Sequence, residues 1–442
     1  MNWIWDTLNR IELLTPGAAV GFGLLLGGAF AAVVVLRGLR LSRIGWCFVL
    51  GVPTVIAVGA WLVCDVVWLP FNDPFGWTIW GLLWVGIFIP LAALWPRLPL
   101  MVGLEDSARA RVLRAWPVWK LGRKRTAFVI TVVILVSTAG MFGGMNWKFG
   151  VYRTAAALFG NGVEYHRLSD VPQTEVSSPV PRHGMLVRTD LIGEVSGWHP
   201  RPAVVYLPPA YQHAYGQDLP VLVLMAGQPG APESWVQLGE MQTTLDAYAA
   251  RHDGRAPVVV VADQLGSGLK SPLCSDSPVG NVATYLQEDV PNWIEQHLNV
   301  THDRSKWGIG GLSNGATCAL QVVTRAPDAY SIILNMSGEA KPEVSGNVNP
   351  VDQIFGGDQH AYDLNNPAHL MEHRKYPQVR GVFSVGQDDS RYRGHMKKLY
   401  QSGVDAGMDL QFREYPGGHS WRVWRPAFAD QLEWFGQQTG LA

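Results

Sequence analysis

Long apolar stretches dominate the first third of the chain. Apolar residues run almost unbroken for about 20 positions at a time, which is the length a helix needs to cross a bilayer. Short segments separate the stretches, which disfavours buried helices of a soluble core. The pattern therefore predicts a transmembrane domain with four helices over residues 1–147, and these helices lie at residues 16–36, 45–63, 76–95 and 126–147.

The loops between these predicted spans indicate an orientation. Short loops rich in Lys and Arg stay on the cytoplasmic side of a membrane. The loops at 37–44 and 96–125 are rich in these residues, whereas the loop at 70–75 has none. An even number of spans then places the N-terminus and everything after Trp147 on the extracytoplasmic side. No ionisable residue lies in the middle of a predicted span, which favours an anchor over a transporter.

A different pattern begins at Gly184, where short β-branched runs alternate with helical periodicity. This alternation is typical of a mostly parallel sheet with helices on both faces, and eight strands is the number an α/β-hydrolase fold uses. We therefore predict a linker at 148–183 and an α/β-hydrolase domain at 184–442. The predicted strands are 185–192, 203–207, 221–226, 258–262, 307–312, 331–336, 381–385 and 409–415, and the predicted helices are 242–251, 282–297, 314–325, 391–406 and 425–437.

One segment of the second domain has no strong periodicity. It covers residues 338–378, between the sixth and seventh predicted strands. An insertion of this size is typical of a cap over an active site, although it fits a plain surface segment as well.

Composition narrows the classes of function. Apolar residues make up 48% of the chain and charged residues 16%, so part of the chain is expected to lie in lipid. The formal net charge of -1 gives no basic face for nucleic acid, and we expect no such partner. No Cys/His spacing indicates a metal site, and the chemistry described below needs no cofactor.

A candidate nucleophile is Ser313, in the G-x-S-x-G sequence from Gly311 to Gly315. The pentapeptide alone is weak support, because a chain with 48 glycines can contain it by accident. However, an apolar strand at 307–312 ends at this serine and a helical pattern at 314–323 follows it. A strand, a sharp turn and a helix form the nucleophile elbow of α/β-hydrolases. The alternative is that Ser313 only caps the helix.

A serine nucleophile needs a histidine base and an acid that orients the base. His419 follows the predicted strand 409–415 in a glycine-rich loop, where the chain order Ser, Asp/Glu, His places the base. The alternative is an exposed loop histidine.

The acid is expected after the seventh predicted strand. Asp389 is the candidate and Asp388 the second choice, because a shift of one residue at the strand end exchanges them. We expect the unused acid to cap the following helix.

Two backbone N–H groups should bind the oxyanion that develops during ester hydrolysis. Asn314, directly after the nucleophile, is expected to supply one of them. The loop after the third predicted strand should supply the other, and Gln228 is the candidate, since Pro229 has no N–H. A plain tight turn in this loop is the alternative.

Residues 185–442 resemble the exported esterase D and mycolyltransferase family, and the N-terminal domain resembles that of membrane-anchored esterase-like proteins of actinobacteria. The similarity lies in Thr284-Tyr285-Leu286, Val290-Pro291, Trp293, the GGLSNG sequence at 310–315, His419-Ser420-Trp421 and Trp424. It implies an acyl-serine intermediate that is released to water or to an alcohol, with Trp421 and Trp424 as candidate substrate-binding residues. The trehalose-using mycolyltransferases, however, have an acid and an arginine where this chain has Ala226 and Pro229, and they use Glu as the triad acid.

The four cysteines fall into two pairs. Cys47 and Cys64 lie in predicted spans, where apolar packing explains them. Cys274 and Cys318 lie in the domain predicted to be exported, and they form a candidate disulfide if that compartment is oxidising.

These patterns together predict a serine esterase of the cell membrane whose catalytic domain is extracytoplasmic. We expect it to cleave carboxylic esters, with membrane lipids or other acyl or aminoacyl esters of the cell envelope as substrates. One alternative is an acyltransferase that moves an acyl group to an envelope sugar or lipid. A further alternative is a non-catalytic envelope scaffold, against which the complete Ser, Asp and His set argues.

Overall fold

A computed structural model describes residues 2–37, 43–67, 75–94, 123–171, 179–213, 218–266, 272–344 and 348–441. The loops between the four predicted spans, including both basic loops, lie largely outside the described residues. The chain forms two compact units, Met1–Leu158 and Phe159–Ala442. The predicted linker is thus divided between the two units.

The first unit is mainly helical in its described residues, with one isolated β-bridge between Glu12 and Thr154. Four of its helices are long and apolar enough to cross a membrane, over Pro16–Val34, Gly45–Val66, Trp77–Leu94 and Ala127–Phe149. The sequence does not predict the short helix that precedes them. The helices are α1 (Asn2–Arg10), α2 (Pro16–Arg37), α3 (Arg43–Trp61, continued by a π-helical segment Leu62–Val67), α4 (Trp77–Leu94) and α5 (Arg123–Phe149).

Hydrogen bonds bring several helix ends of this unit together. The Leu13 N–H donates to the Arg153 carbonyl over 2.7 Å, which joins the start of α2 to the residues after α5. At the end of α3, Asp65 accepts from the Phe75 N–H over 3.0 Å, while Lys148 of α5 donates to the Phe75 carbonyl. The first and fourth candidate spans therefore begin and end, respectively, at the same end of the unit.

The second unit contains an eight-stranded sheet in the order β1-β2-β4-β3-β7-β8-β9-β10. The pairs β1–β2 and β2–β4 are antiparallel and the other neighbours are parallel. The sheet is therefore mixed, and the α/β core agrees with the α/β-hydrolase prediction. The strands are β1 (Met185–Thr189), β2 (Ala203–Leu207), β3 (Val221–Met225), β4 (Val258–Ala262), β7 (Trp307–Leu312), β8 (Ile332–Met336), β9 (Arg380–Gly386) and β10 (Asp409–Tyr415), while β5 (Asp276–Ser277) and β6 (Gly280–Asn281) form a separate hairpin.

The central strands are buried on both faces, which explains why they appear in the sequence as continuous apolar runs. Helices cover the sheet. They are α6 (Glu233–Gln237), α7 (Met241–Ala249), α8 (Val282–Thr284, a π-helical turn Tyr285–Asp289, then Val290–His297), α9 (Asn314–Arg325), α10 (Pro350–Phe355), α11 (Gln359–Asp363), α12 (Pro367–His373), α13 (Tyr392–Asp405) and α14 (Trp421–Thr439).

The last helix begins earlier than its sequence pattern indicates. Pro426 favours a helix start near Arg425, since proline is common in a first helical turn. In the structure α14 starts at Trp421 and Pro426 lies inside the helix. The early turn buries Trp421 and Trp424 in the core, and this tertiary packing outweighs the local preference.

The insertion between β8 and β9 carries the three short helices α10 to α12. Its later part packs against α9: the Asn365 carbonyl accepts from Gln321 over 3.0 Å, and the Tyr376 hydroxyl donates to the Thr324 carbonyl over 3.0 Å. This part is thus integral to the fold.

Candidate active site

Ser313 lies in a strained turn between β7 and α9, with φ 53° and ψ -120°. Two glycines make this turn possible. A Cβ added to Gly311 would lie 2.7 Å from the Met225 carbonyl oxygen, and one added to Gly315 would lie 2.4 Å from the same oxygen. Any larger residue would therefore collide with the neighbouring strand β3. The turn has the geometry of a nucleophile elbow.

Three side chains from distant parts of the chain form one hydrogen-bonded row. His419 Nε2 lies 2.9 Å from Ser313 Oγ, and His419 Nδ1 lies 3.0 Å from Asp389 Oδ2. Asp389 is 3% exposed. Because an ionised carboxylate only accepts, Nδ1 carries the ring proton and Nε2 is left to accept from the serine hydroxyl. The imidazole is therefore oriented as a base toward Ser313.

The structure distinguishes the two candidate acids. Asp389 is buried against His419, whereas Asp388 is exposed, and the Asp388 N–H donates to the Gly417 carbonyl over 2.9 Å. The second oxygen of Asp389 accepts from the Tyr392 N–H over 3.1 Å at the start of α13. The expectation that the other acid caps this helix is wrong, because a single carboxylate contacts both the histidine and the helix start.

Aromatic rings enclose the imidazole. Tyr392 stacks on His419 with ring centroids 4.1 Å apart, and Trp424 lies nearly perpendicular to the imidazole with ring centroids 4.9 Å apart. Trp424 Nε1 donates to Ser337 Oγ over 3.2 Å, and Trp421 packs on Trp424 one ring further away. Both tryptophans are 7% exposed and support the base from the core side. Their role in substrate binding stays a prediction.

The predicted oxyanion donors lie in two segments that adjoin Ser313. Asn314 opens α9 directly after Ser313. A Cβ on Gly227 would lie 3.3 Å from Ser313 Cβ, so the loop after β3 contacts the nucleophile, and half-buried Gln228 follows in this loop. The arrangement is compatible with two N–H groups near the serine, and their role as oxyanion donors stays a prediction.

A charged rim borders the site at the start of the insertion. Arg391 pairs with Glu343 over 3.0 Å, and its guanidinium lies 5.6 Å from the centre of the Tyr392 ring. Tyr362 donates to the Pro342 carbonyl over 3.2 Å. Burial, together with the nearby Glu343 carboxylate, raises the pKa of Tyr362 to about 12, so the hydroxyl keeps the proton that it donates.

The structure joins Cys274 and Cys318 in a disulfide, with Cα atoms 5.5 Å apart. Cys318 lies in the second turn of α9, and Cys274 precedes the β5–β6 hairpin in a left-handed conformation with φ 48°. The bond therefore ties the segment after β4 to the helix that carries the nucleophile elbow.

A sequence model of the family described as "Putative esterase" matches residues 198–435, which is more than half of the chain. The chain belongs to this esterase family. The match covers the elbow, the acid and the histidine described above. The esterase is also 35% identical, over 99% of both chains, to an uncharacterized protein of Corynebacterium glutamicum.

Two solved structures share the fold of the catalytic unit. A ferulic acid esterase has 22% identity and a TM-score of 0.51, and the alignment covers 58% of this chain and 98% of that one. An S-formylglutathione hydrolase from Agrobacterium tumefaciens has 18% identity and a TM-score of 0.50, with coverage of 61% and 100%. At these identities the likeness shows the α/β-hydrolase fold of the esterase and carries no information on its substrate.

Sequence reasoning missed two residues that support the site. The Tyr392 ring stacks on the imidazole, and its backbone N–H donates to Asp389. An acid three residues before a position in the first turn of a helix is a pattern that indicates helix capping, so the sequence contained a signal for this contact. Trp235 Nε1 donates over 3.0 Å to the Met225 carbonyl, against which the elbow glycines pack. Nothing in the local sequence marks Trp235, because its partner is a backbone carbonyl at the end of β3.

Proposed function

We propose that this esterase is a serine hydrolase that cleaves carboxylic esters through an acyl-serine intermediate. The observation that carries the proposal is the continuous row of hydrogen bonds from Asp389 through His419 to Ser313. A hydroxyl, an imidazole and a buried carboxylate in this order form the catalytic arrangement of serine hydrolases.

The geometry supports the following steps. His419 Nε2 takes the proton of Ser313 as Oγ attacks the ester carbonyl carbon, and the N–H groups of Asn314 and Gln228 stabilise the oxyanion. The imidazolium then gives its proton to the leaving alcohol as the carbon–oxygen bond breaks. Water, deprotonated by His419, attacks the acyl-serine, which releases the carboxylic acid and restores the hydroxyl. Asp389 stabilises the imidazolium throughout.

We further propose that the first unit anchors the enzyme in a membrane as a multi-pass domain. Four helices of sufficient length and apolar character support this proposal. The hydrogen bonds between the start of α2 and the residues after α5 are compatible with an even number of crossings. Together with the basic loops at 37–44 and 96–125, they support a catalytic domain on the extracytoplasmic side.

An anchored esterase meets its substrate at the membrane surface. We therefore propose acyl or aminoacyl lipids of the cell envelope as substrates, since such esters need not be extracted far from the bilayer. The support is the presence of the apolar helices and the hydrolase domain in one chain.

The serine mechanism is tested with a fluorophosphonate probe on the full chain in detergent. Labelling and hydrolysis of p-nitrophenyl esters should both disappear in Ser313→Ala and persist in Ser169→Ala, which changes an exposed serine outside the site. Labelling that survives in Ser313→Ala would refute the assignment. Addition of alcohol acceptors should leave the free acid as the main product, and predominant ester formation would favour the transferase.

The location is tested by adding protease to intact cells. The domain after Trp147 should be digested without permeabilisation if it is extracytoplasmic. Protection until the membrane is opened would refute the proposed orientation and leave the catalytic proposal intact.

A further inference from the structure

Gln264 is a buried residue two positions after the end of β4. Its side chain is in the core, with 1% of the residue exposed. The amide Nε2 donates two hydrogen bonds, to the Ala226 carbonyl over 2.6 Å and to Asn314 Oδ1 over 3.2 Å. One amide group thus joins two segments that are far apart in the sequence.

Both acceptors adjoin the predicted oxyanion donors. Ala226 is the residue before Gly227 and Gln228, and its carbonyl fixes the start of that loop. Asn314 itself carries the other N–H. A Cβ on Gly315 would lie 2.7 Å from the Ala226 carbonyl oxygen, so the first turn of α9 packs against the same group that Gln264 holds.

We infer that Gln264 is a positioning residue that holds the two halves of the oxyanion hole at a fixed separation. The inference rests on the proposed serine mechanism. The two halves follow β3 and β7, which are neighbours in the sheet, and Gln264 follows β4 on the other side of β3. Oxyanion donors act through preorganisation, because donors already in place need no rearrangement as charge develops.

The expected effect lies in kcat. Loss of one oxyanion donor lowers kcat about 100- to 1,000-fold, and a misplacement of about 1 Å costs about 100-fold. In Gln264→Leu the backbone N–H groups of Asn314 and Gln228 remain, but the hydrogen bonds that hold their segments at a fixed separation are lost. We therefore expect kcat to fall about 10- to 100-fold. KM should change by less than about threefold, because the oxyanion donors that Gln264 positions stabilise the transition state and not the bound substrate.

The chain offers a matched control in Gln321. This residue is also buried, and its Nε2 also donates two hydrogen bonds, to the Leu273 carbonyl over 2.7 Å and to the Asn365 carbonyl over 3.0 Å. Gln321→Leu should lower stability about as much as Gln264→Leu while kcat stays within about threefold of the wild type.

The experiment measures kcat, KM and inhibition by a trifluoromethyl ketone, which forms a tetrahedral adduct with the nucleophilic serine, on the full chain. For Gln264→Leu, the inhibition constant of the ketone should rise by the same factor by which kcat/KM falls. The reason is that the oxyanion of the adduct accepts hydrogen bonds from the same donors as the transition state. If Gln264→Leu does not fold, Gln264→Asn gives the same comparison, because its shorter side chain cannot reach both acceptors.

The outcomes separate this inference from the proposed function. A wild type that neither hydrolyses esters nor reacts with fluorophosphonate would overturn both. An active wild type would overturn the role of Gln264 alone in either of two cases: kcat within about threefold in the Gln264 variants, or an equal loss in Gln321→Leu. A fall in kcat without a matching rise in the inhibition constant would overturn it as well.

Discussion

Asp389→Asn is a sharp test of the row of hydrogen bonds, because the structure determines how the new amide must lie. One carboxylate oxygen of Asp389 accepts from the Tyr392 N–H over 3.1 Å and the other faces His419 Nδ1 at 3.0 Å. An amide NH₂ group cannot accept a hydrogen bond. The asparagine oxygen must therefore stay on Tyr392, and its NH₂ must face the imidazole.

This orientation forces the wrong tautomer on the base. His419 Nδ1 must then accept from the amide, so the ring proton moves to Nε2, which points at Ser313 from 2.9 Å. A protonated Nε2 cannot take the serine proton. The comparable Asp→Asn change in a serine protease lowers kcat about 10,000-fold. At about 1.36 kcal/mol per factor of ten, this equals about 5.4 kcal/mol of transition-state stabilisation.

The assay measures kcat for hydrolysis of a p-nitrophenyl ester by the purified full-length protein. Asp388→Asn is the matched control, because the Asp388 side chain is exposed and the hydrogen bond to the Gly417 carbonyl comes from its backbone. This control should remain within about twofold of the wild type. The argument would be refuted if Asp389→Asn kept more than about a tenth of the activity, or if the two variants lost activity equally.

Three further predictions concern stability. Replacing both Cys274 and Cys318 by Ala opens a loop of sequence separation 44, which should destabilise the catalytic unit by about 4 kcal/mol and lower its thermal midpoint. Gly315→Ala places a Cβ 2.4 Å from a carbonyl of β3, and such overpacking should cost about 1–3 kcal/mol in thermal unfolding and also lower kcat. The Arg393 guanidinium, with a neighbouring lysine, lowers the pKa of Glu414 to about 2. The stabilisation is therefore complete above its ordinary pKa and lost as the pH falls toward about 2, so the stability deficit of Glu414→Gln at neutral pH should vanish in acid.

Each of these has a result that would contradict it. For the disulfide, the wild type should fall to the midpoint of the double variant when it is reduced, and an unchanged midpoint would contradict the loop-closure argument. For Gly315, the control is Gly394→Ala in α13, where a Cβ meets nothing within 4 Å and should be neutral or stabilising. Equal destabilisation of both would contradict the steric argument. For Glu414→Gln, a deficit that grows in acid would contradict the assigned sign.

Much of the fold could be predicted from local pattern. The continuous apolar runs predict β2, β3, β4 and β7 to within a residue, because strands buried on both faces have no polar side to interrupt them. The G-x-S-x-G sequence at the end of such a strand locates Ser313, because the glycines that a sharp turn requires lie within two residues of the serine. Elements that depend on packing were missed or misplaced, such as the β5–β6 hairpin and the first turn of α14.

The sequence by itself determined that the chain has four bilayer-length apolar segments, a strand-and-helix domain after them and a serine at an elbow. All three are signals of composition and spacing within a short window. Only the tertiary structure decided that Asp389 rather than Asp388 faces His419, that the same carboxylate also binds the start of α13, and that Gln264 joins Ala226 to Asn314. The first and third are contacts between residues brought together by neighbouring strands, which no local pattern records. The second depends on which of the two acids points inward, and a difference of one position along a strand end reverses that choice.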